Sequence, residues 1–376
     1  MDSVIIKPVE TKQEMNQFIK VPFEIYKGDE SWISPLILER KEHFSKKNPF
    51  FEHAKVQFFL AIKNGKCVGR ITAHIDYLYI KQHNEKCGFF GFIEGIDDIE
   101  VFRQLLKTAE EWLKKEGMEY VIGPMSFSTN DEAGLLIDSF DIPPTFMLSH
   151  AKPYYKEHIE ALGYKKEKDL NCYYINLDQD LPLMENLVEK TKNKIEVKPV
   201  DKSKVYETSK LLKEIFNDSW KNNWGYIPFT DNEFYYLVKQ LKHIVEKDFV
   251  NVAYYNGEPA GMYVLLPDLN EIIRDFNGRL TPINIVKFLF RLKQRKFSIF
   301  RAALLGVRSK YHKNILATSI ISHLILNMKK NCLSIGIKYL DVSWVLEDNK
   351  GVIDLLVKLG NAKLYKTFRV YRKCLI

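Results

Sequence analysis

Cysteine is scarce in this chain, and its placement argues against two classes of protein. The 376 residues include five cysteines: Cys67, Cys87, Cys172, Cys332 and Cys374. Their number is odd, they lie far apart and no Cys-x-x-Cys pair occurs. Neither a disulfide-rich scaffold nor a zinc module is therefore indicated. We expect reduced thiols in a cytoplasmic protein.

Long hydrophobic runs are also missing. The best candidate for a membrane span, residues 283–307, is interrupted by the cationic residues 291–296, so we expect no transmembrane segment. The first residues, Met1-Asp-Ser-Val-Ile-Ile-Lys-Pro, predict the start of a strand rather than a signal peptide.

The common catalytic and metal-binding motifs are absent as well. The sequence has no His-Glu-x-x-His, no phosphate loop ending in Gly-Lys-Ser/Thr and no Gly-x-Ser-x-Gly. The nine histidines are scattered, so we expect no metal. The net charge of +8 is a weak indication of nucleic-acid binding, and we expect none, because an anionic small ligand fits equally well.

The last part of the chain has a regular succession of predicted strands and helices. An apolar strand at residues 301–307 leads into a basic loop and then a helix, on one face of which lie Ile320, Leu324 and Met328. A second strand, a short helix and an alternating strand follow at 339–345, 350–360 and 362–371. A cationic loop at a helix start favours a phosphate-bearing ligand.

This succession resembles the cofactor-binding half of the GNAT acyltransferases (Gcn5-related N-acetyltransferases). The pyrophosphate loop of that superfamily, Arg/Gln-x-x-Gly-x-Gly/Ala, is matched by His312 at its first place and Ala317 at its last, with Ile315 at the middle glycine. The later pattern Asn-x-x-Ala-x-x-x-Tyr-x-x-x-Gly-Phe is matched by Asn349 and Gly360, with Leu356 at the tyrosine.

The resemblance implies that acetyl-CoA or another acyl-CoA binds at this loop as a co-substrate. The residues expected to contact it are Leu305, Val307, His312, Lys313, Asn314, Ile315, Leu316, Ala317 and Asn349. The alternative is a degenerate loop that is retained only as part of the fold. Glycine adopts positive φ and lets a ligand approach the backbone closely, and a β-branched isoleucine does neither easily.

The two halves of the chain repeat one pattern. An Asn-Gly turn joins alternating runs at 58–70 and again at 249–261, and each half ends in a helix, Leu-Gly and an aromatic strand. The fold class predicted is α/β (α+β), with two tandem GNAT-like domains, each a mixed twisted sheet flanked by helices. The domains are expected at 1–178 and 195–376, with a junction at 178–194.

The halves differ in their predicted roles. Acids at residues 97–100 follow the strand of the first half, where they would repel pyrophosphate, so this domain is expected to be degenerate and to serve the acceptor side. Its polar segment Asn130, Asp131 and Glu132, together with Trp224 and Tyr226, is predicted to contact the acceptor. Local turns and caps, or aromatic packing, are the alternatives.

The leading hypothesis is an acyl-CoA-dependent N-acyltransferase, by resemblance an acetyltransferase, acting on a small-molecule or peptide amine. Glu347 is the candidate catalytic base, and a capping role at the helix start is the alternative. A non-catalytic ligand-binding protein of the same fold remains open. So does an aminoacyltransferase resembling the Fem enzymes, which pair GNAT-like domains and use charged tRNA.

The second half also carries an insertion at residues 267–296. Residues 283–292 within it predict an amphipathic helix with a basic end. Three placements are open for this helix. It could cap the substrate side, touch a membrane surface, or pack on its own domain with a solvated basic tail.

Overall fold

The computed structural model of the chain describes residues 3–242, 244–312 and 315–376, in which helices and strands alternate. The helices are α1 (Lys12–Ile25), α2 (Ile37–His43), α3 (Tyr77–His83), α4 (Ile99–Lys115), α5 (Tyr154–Ala161), α6 (Pro182–Thr191), α7 (Val205–Trp220), α8 (Asp231–Leu241), α9 (Leu269–Ile273), α10 (Pro282–Gln294), α11 (Ile315–Ser334) and α12 (Lys350–Asp354). A π-helical turn, Leu355–Leu359, extends α12.

The strands repeat in two similar series. They are β1 (Ile5–Pro8), β2 (Ala54–Lys63), β3 (Lys66–Asp76), β4 (Cys87–Gly95), β5 (Tyr120–Gly123), β6 (Met125–Ser126), β7 (Glu132–Ala133), β8 (Leu135–Leu136), β9 (Lys165–Asn176), β10 (Ile195–Pro199), β11 (Val250–Tyr255), β12 (Glu258–Pro267), β13 (Ile299–Val307), β14 (Tyr339–Leu346) and β15 (Lys363–Cys374).

The chain divides into two compact units. The first contains Met1–Leu170, Ile273–Val286 and Lys366–Ile376. Its strands follow the order β1-β2-β3-β4-β5, and the end of β15 pairs with β5. All of these pairs are antiparallel except β4 with β5. Helix α4 buries its apolar face, including Val101, Leu105 and Ala109, against this sheet.

The second unit contains Asn171–Ile272 and Lys287–Tyr365. Its strands follow the order β10-β11-β12-β13-β14, and only β13 and β14 run parallel. Met262 of β12 packs with the helix α7 on one face, and the neighbouring Gly261 faces Ile320 and Leu324 of α11 on the other, because successive strand residues alternate in direction. The predicted fold class is confirmed.

The two Asn-Gly hairpins lie where the sequence predicts them. Asn64 and Gly65 join β2 to β3, and Asn256 and Gly257 join β11 to β12. All four residues have positive φ, at 50°, 72°, 49° and 83° respectively. Positive φ at both central positions defines the turn whose twist suits a two-residue hairpin, and Asn-Gly adopts it readily.

The units differ from the predicted ranges 1–178 and 195–376 in their closing strands. Lys366–Ile376 belongs to the first unit, where Tyr371 is paired with Gly123 and Phe368 with Leu136. Residues 171–176 of β9 belong to the second unit, which contains β14. The insertion is also divided, because Ile273–Val286 is counted with the first unit. The boundaries within 178–194 remain a prediction.

Candidate functional site

The loop between β13 and α11 has the predicted strand–loop–helix geometry. Strand β13 ends at Val307, a 3₁₀ turn follows at Ser309–Tyr311, and α11 begins at Ile315. A helix start presents main-chain N–H groups and the positive end of the helix dipole. The side chain of Ile315 is 71% exposed, so this position is open to a ligand.

The side chains of the loop are cationic and partly engaged. The Nε2 atom of His312 lies 2.6 Å from the carbonyl oxygen of Val307. Lys310 forms an exposed ion pair with Glu258 at 2.6 Å. Leu316 and Ala317 are half-buried in the first turn of α11. The predicted contact residues Lys313 and Asn314 lie outside the described residues.

An acid from α7 also reaches this loop. The carboxylate of Asp218 accepts hydrogen bonds from the Ser309 main-chain N–H at 2.7 Å and from the Ser309 hydroxyl at 2.8 Å. Partial burial acts to raise the pKa of Asp218, but hydrogen bonds from Lys221 and Ser309 outweigh it and lower this pKa to about 2. The carboxylate is therefore ionised at neutral pH and holds the loop against α7.

Strands β13 and β14 diverge after a short paired stretch. Their parallel register covers three residue pairs, from Ile299 with Tyr339 to Arg301 with Asp341. Both strands continue beyond these pairs, β13 to Val307 and β14 to Leu346. Backbone N–H and C=O groups on the facing edges of separated strands are potential hydrogen-bond partners for a ligand.

A buried polar network spans the point of divergence. Arg301 donates from Nε to the Ser343 hydroxyl at 2.9 Å and from Nη2 to the Ser343 carbonyl at 3.2 Å. The Ser343 hydroxyl in turn donates to Asp341 at 3.0 Å. All three residues are buried. Burial, and then the charge of Asp341, raise the pKa of the nearby Tyr365 hydroxyl. The side-chain hydrogen bonds between Arg301 and Ser343 thus connect β13 to β14 where their main-chain pairing ends.

A narrow apolar crevice of about 40 Å³ lies beside these strands. Its walls include Leu305 of β13, Val342 of β14, Met328 of α11 and Leu356. The Leu356 side chain is buried and also packs with Tyr173, Val345 and Ala362. The position at which GNAT proteins often carry a tyrosine is therefore a core position in this chain.

The end of β14 places the candidate base Glu347 directly after the strand. Glu347 is half-buried and Asp348 is exposed. Asn349 caps α12, because its side-chain oxygen accepts the Val352 main-chain N–H at 3.3 Å. The capping role predicted as an alternative in this turn is therefore taken by Asn349. Neither the catalytic role of Glu347 nor the cofactor role of Asn349 is tested by this geometry.

The aromatic pair after α7 is built into the second unit. Tyr226 is buried in a cluster with Phe216 and Phe234, and its hydroxyl donates to the Asn217 carbonyl at 3.1 Å. Trp224 is half-buried. Packing thus accounts for the Tyr226 ring and hydroxyl, and an acceptor contact by either residue remains a prediction.

The corresponding helix start in the first unit is acidic, as the sequence predicts. Asp98 is the N-cap of α4, where it accepts the Glu100 main-chain N–H at 2.9 Å and an ion pair from Lys63 at 2.8 Å. Asp97 lies 2.8 Å from a ring nitrogen of His158. Carboxylates at this position accept hydrogen bonds from the free main-chain N–H groups of the helix start, and their negative charge repels a phosphate.

The polar segment of the first unit is tied to a distant helix. Glu132 forms an ion pair with Arg40 of α2 at 3.1 Å, and the charge of Asp131 also acts on Arg40. The main-chain N–H groups of Asn130 and Asp131 bond to Ser128. All three predicted acceptor residues are half-buried. Their contacts are therefore partly local and partly long-range.

Two sequence relatives cover nearly the whole chain, although no protein-family model matches it. Protein YghO of Escherichia coli (strain K12) is 38% identical over 372 residues, which is 98% of this chain and 95% of that protein. The bacterial ceramide synthase of Caulobacter vibrioides is 36% identical over 372 residues, 98% of this chain and 97% of that protein. The chain belongs to their family.

Solved structures identify the fold of this family member as GNAT. A tandem GNAT protein from the clavulanic acid biosynthesis pathway superposes with a TM-score of 0.56 at 10% identity, covering 100% of this chain and 99% of that one. A GCN5-related N-acetyltransferase from Sphaerobacter thermophilus gives 0.52 at 11% identity, with 99% and 96% covered. The predicted GNAT resemblance is confirmed.

Several groups in the second unit of this GNAT-fold chain have chemistry that suits a phosphate-bearing ligand. The start of α11, the cations Arg308 and Lys310 and the His312 ring suit phosphates, and the diverging strands suit an extended chain with amide groups. The Asp218 carboxylate opposes phosphate binding in part, because it already accepts the hydrogen bond from the Ser309 main-chain N–H. No group of three or more His, Cys, Asp or Glu residues within the described ranges could hold a metal.

Two buried arginines near these sites were missed by the sequence interpretation. Arg301 lies in an otherwise apolar strand, and Arg70 lies in β3 beside the largely buried carboxylate of Glu94, which also accepts hydrogen bonds from Tyr26 and Tyr155. Burial raises the pKa of Glu94, although Arg70 and both hydroxyls oppose this. A charged residue inside an apolar run is the signal that could have revealed both networks.

Reversing the charge of the loop before α11 is expected to weaken coenzyme A binding. His312→Glu with Lys313→Glu should raise the dissociation constant about tenfold or more, because the substitutions add two negative charges to the segment before a helix start. Isothermal titration with coenzyme A measures this. The matched control, Lys330→Glu with Lys363→Glu, changes exposed lysines of the same unit and should leave affinity within about twofold. Equal losses in both variants would reject the loop as the binding site.

Proposed function

We propose that this chain is an N-acyltransferase that moves an acyl group from acyl-CoA to the amine of a long-chain, sphingoid-type base. The observation that carries the proposal is the relationship to the ceramide synthase of Caulobacter vibrioides, at 36% identity over 98% of this chain. A ceramide is an N-acylated long-chain base, so its synthesis is an acyl transfer to nitrogen. The alternative is the activity expected from the superfamily alone, in which the transferred acyl group is acetyl.

The apolar crevice beside β13 and β14 supports a hydrocarbon substrate. Its exposed lining is almost wholly apolar and includes Ala302, Leu305 and Ile325. A polar acetyl acceptor gains nothing from such walls, whereas each methylene group transferred from water to an apolar wall is worth about 0.8 kcal/mol. With a volume of about 40 Å³, the crevice would have to widen to admit a long chain.

In this proposal, different residues of the second unit bind the acyl-CoA and assist the proton transfer. An acyl-CoA supplies the activated thioester carbonyl. The start of α11 and the cationic loop bind its phosphates, and the free edges of the diverging strands orient its amide groups. Glu347 accepts a proton from the amine as nitrogen bonds to the carbonyl carbon and the carbon–sulfur bond breaks. Because Leu356 stands at the position of the GNAT tyrosine and cannot donate a proton, the coenzyme A thiolate takes its proton from solvent. Asn130, Asp131 and Glu132 remain predicted acceptor contacts.

The non-catalytic alternative is favoured by two observations, the buried Leu356 and the occupied Ser309 N–H. A direct assay separates it from the enzyme. The purified chain is incubated with hexadecanoyl-CoA and a C18 sphingoid base, and the free thiol and the N-acyl product are quantified by a thiol reagent and mass spectrometry. Product formation with the long pair, and not with acetyl-CoA plus a short amine, supports the proposal. Coenzyme A binding without any thiol release would establish the non-catalytic alternative.

Glu347→Gln should lower kcat about 100-fold, because general-base assistance contributes about this much and the amide cannot accept the proton. The dissociation constant for acyl-CoA should stay within about twofold, since Glu347 acts on the amine. The control Asp348→Gln changes the exposed neighbouring acid and should retain activity. If the Glu347 variant turns over at the wild-type rate, the base lies elsewhere.

A further inference from the structure

Helix α10 turns its apolar residues towards solvent. Ile283, Val286, Leu289 and Phe290 are 70%, 67%, 59% and 60% exposed, and Ile285 is 45% exposed. None of the residues of this helix is buried. Whatever contacts hold the helix to the protein, they leave these apolar side chains uncovered. Contiguous exposed apolar surface of this kind marks an interaction site.

The opposite side of α10 contacts the protein through a mixed set of residues. Asn284, Phe288, Arg291 and Leu292 are the half-buried positions, and they recur at the three- and four-residue spacing of one helix face. Arg291 donates to the Ile272 carbonyl at 2.6 Å. The helix is thus attached along one side, and the more hydrophobic side faces outward.

The basic excess of the chain is concentrated around this helix. From Phe276 to Leu340 the sequence contains no Asp or Glu and thirteen of the 56 Lys and Arg residues. The rest of the chain therefore has 43 cationic residues against all 48 acids, a net negative charge. The acid-free segment contains the whole of α10.

Cations flank the outward apolar face. Lys287 and Lys293 are exposed on the helix, and Arg295 and Lys296 are exposed directly after it. Acids also lie close to this end. Glu246 pairs with Arg295 at 2.8 Å, and Glu271 accepts the Ser298 N–H at 2.9 Å. Such acids reduce the local positive charge, but none of them lies on α10 itself.

We propose that α10 is a docking helix for an anionic lipid surface. It would lie in the plane of the interface, with Ile283, Val286 and Phe290 inserted among the acyl chains and with its lysines at the phosphate level. Each cation near such a surface strengthens binding about fivefold. The inference does not depend on the proposed function, although a lipid-borne amine would give the attachment an evident purpose.

Two other occupants fit the surface less well. A second copy packed through the same face would bring like charges together, because the segment has no acid to pair with them. A membrane span is excluded for α10 by length, since it has 13 residues and a span needs about 20. Within the described part of the chain no helix is long and apolar enough to cross a bilayer.

Vesicle flotation with the full chain tests the proposal. Vesicles of phosphatidylcholine are compared with vesicles that contain about one third phosphatidylglycerol. The wild-type chain should bind the anionic vesicles at least about tenfold more tightly, and added salt should reduce this preference. Val286→Asp with Phe290→Asp should lower binding to them by at least about thirtyfold. Circular dichroism confirms that this variant is folded.

The matched control places the same charges on exposed leucines outside α10. Leu183→Asp with Leu364→Asp, at positions 63% and 54% exposed, should bind vesicles within about twofold of wild type. The proposal is overturned if wild type does not bind anionic vesicles or if the α10 variant binds as well as wild type. It is also overturned if light scattering shows a dimer that only the α10 variant dissociates, with no vesicle binding. Acyl transfer is not measured, so these outcomes leave the proposed function untouched.

Discussion

Arg301→Met is expected to lower the free energy of unfolding by about 3–5 kcal/mol. The guanidinium lies buried with Ser343 and Asp341, and methionine of similar length leaves the Ser343 carbonyl and the Asp341 carboxylate without its hydrogen bonds and charge. Removing one partner from a buried charged network has a cost of this size, because the remaining charge stays desolvated. Urea denaturation followed by fluorescence measures the change.

The control for this prediction is Arg103→Met on α4. Its side chain is 51% exposed and pairs with Glu100 on the surface, so the same substitution should change stability by no more than about 0.5 kcal/mol. If Arg301→Met is as stable as wild type, the network does not hold β13 and β14 together. A loss of coenzyme A affinity larger than the loss of stability explains would show that the network also sets the spacing of the strands.

Gly91→Ala is expected to destabilise the chain by at least about 4 kcal/mol, beyond the usual range of single substitutions. A Cβ atom at Gly91 would lie 1.9 Å from the Met125 main-chain oxygen and 2.8 Å from its carbonyl carbon. Backbone cannot move aside as a flexible side chain can, so β4 and β6 would have to separate. Thermal and urea unfolding measure the effect, and soluble yield gives a first indication.

The same substitution at Gly351 provides the control. That glycine lies in α12 without positive φ, and apart from its chain neighbours and the adjacent helix backbone no heavy atom lies within 4 Å of the position that an alanine methyl group would occupy. Alanine there should be neutral or should stabilise by up to about 1 kcal/mol, because it restricts the unfolded chain and favours the helix. If Gly91→Ala lowers stability and Gly351→Ala raises it, the steric cost of the added methyl group is distinguished from its effect on helix propensity. Equal stability of both variants would contradict the close approach of β4 and β6.

Local patterns predicted most of the fold. Asn-Gly between alternating runs fixes both hairpins, since positive φ at two residues requires those residue types. The closing strands are different. Residues 172–177 and 368–371 have similar aromatic alternation, and this pattern tells which side chains are inward but not which sheet accepts the strand. Partner choice is a non-local property, and single-sequence periodicity contains no information on it.

The sequence predicted those features of the candidate site that follow from the order of elements along the chain. It did not predict those that depend on which side chains are buried together. The loop between Val307 and Ile315 follows from a strand, cations and a helix in succession. The bridge from Arg301 to Ser343 joins residues far apart in sequence, and only the packed structure reveals it. The placement of α10 stayed open in the sequence for a related reason. An amphipathic pattern identifies an apolar side, but it does not state whether protein or lipid covers that side.

The pairing of Tyr120 with Cys374 has a consequence for biosynthesis. During translation the first sheet emerges early, yet β5 has no partner on that edge until residues 371–374 leave the ribosome. The exposed edge is a template for pairing with other chains during this interval. A fragment ending near residue 178 would keep that edge permanently and should aggregate when expressed alone.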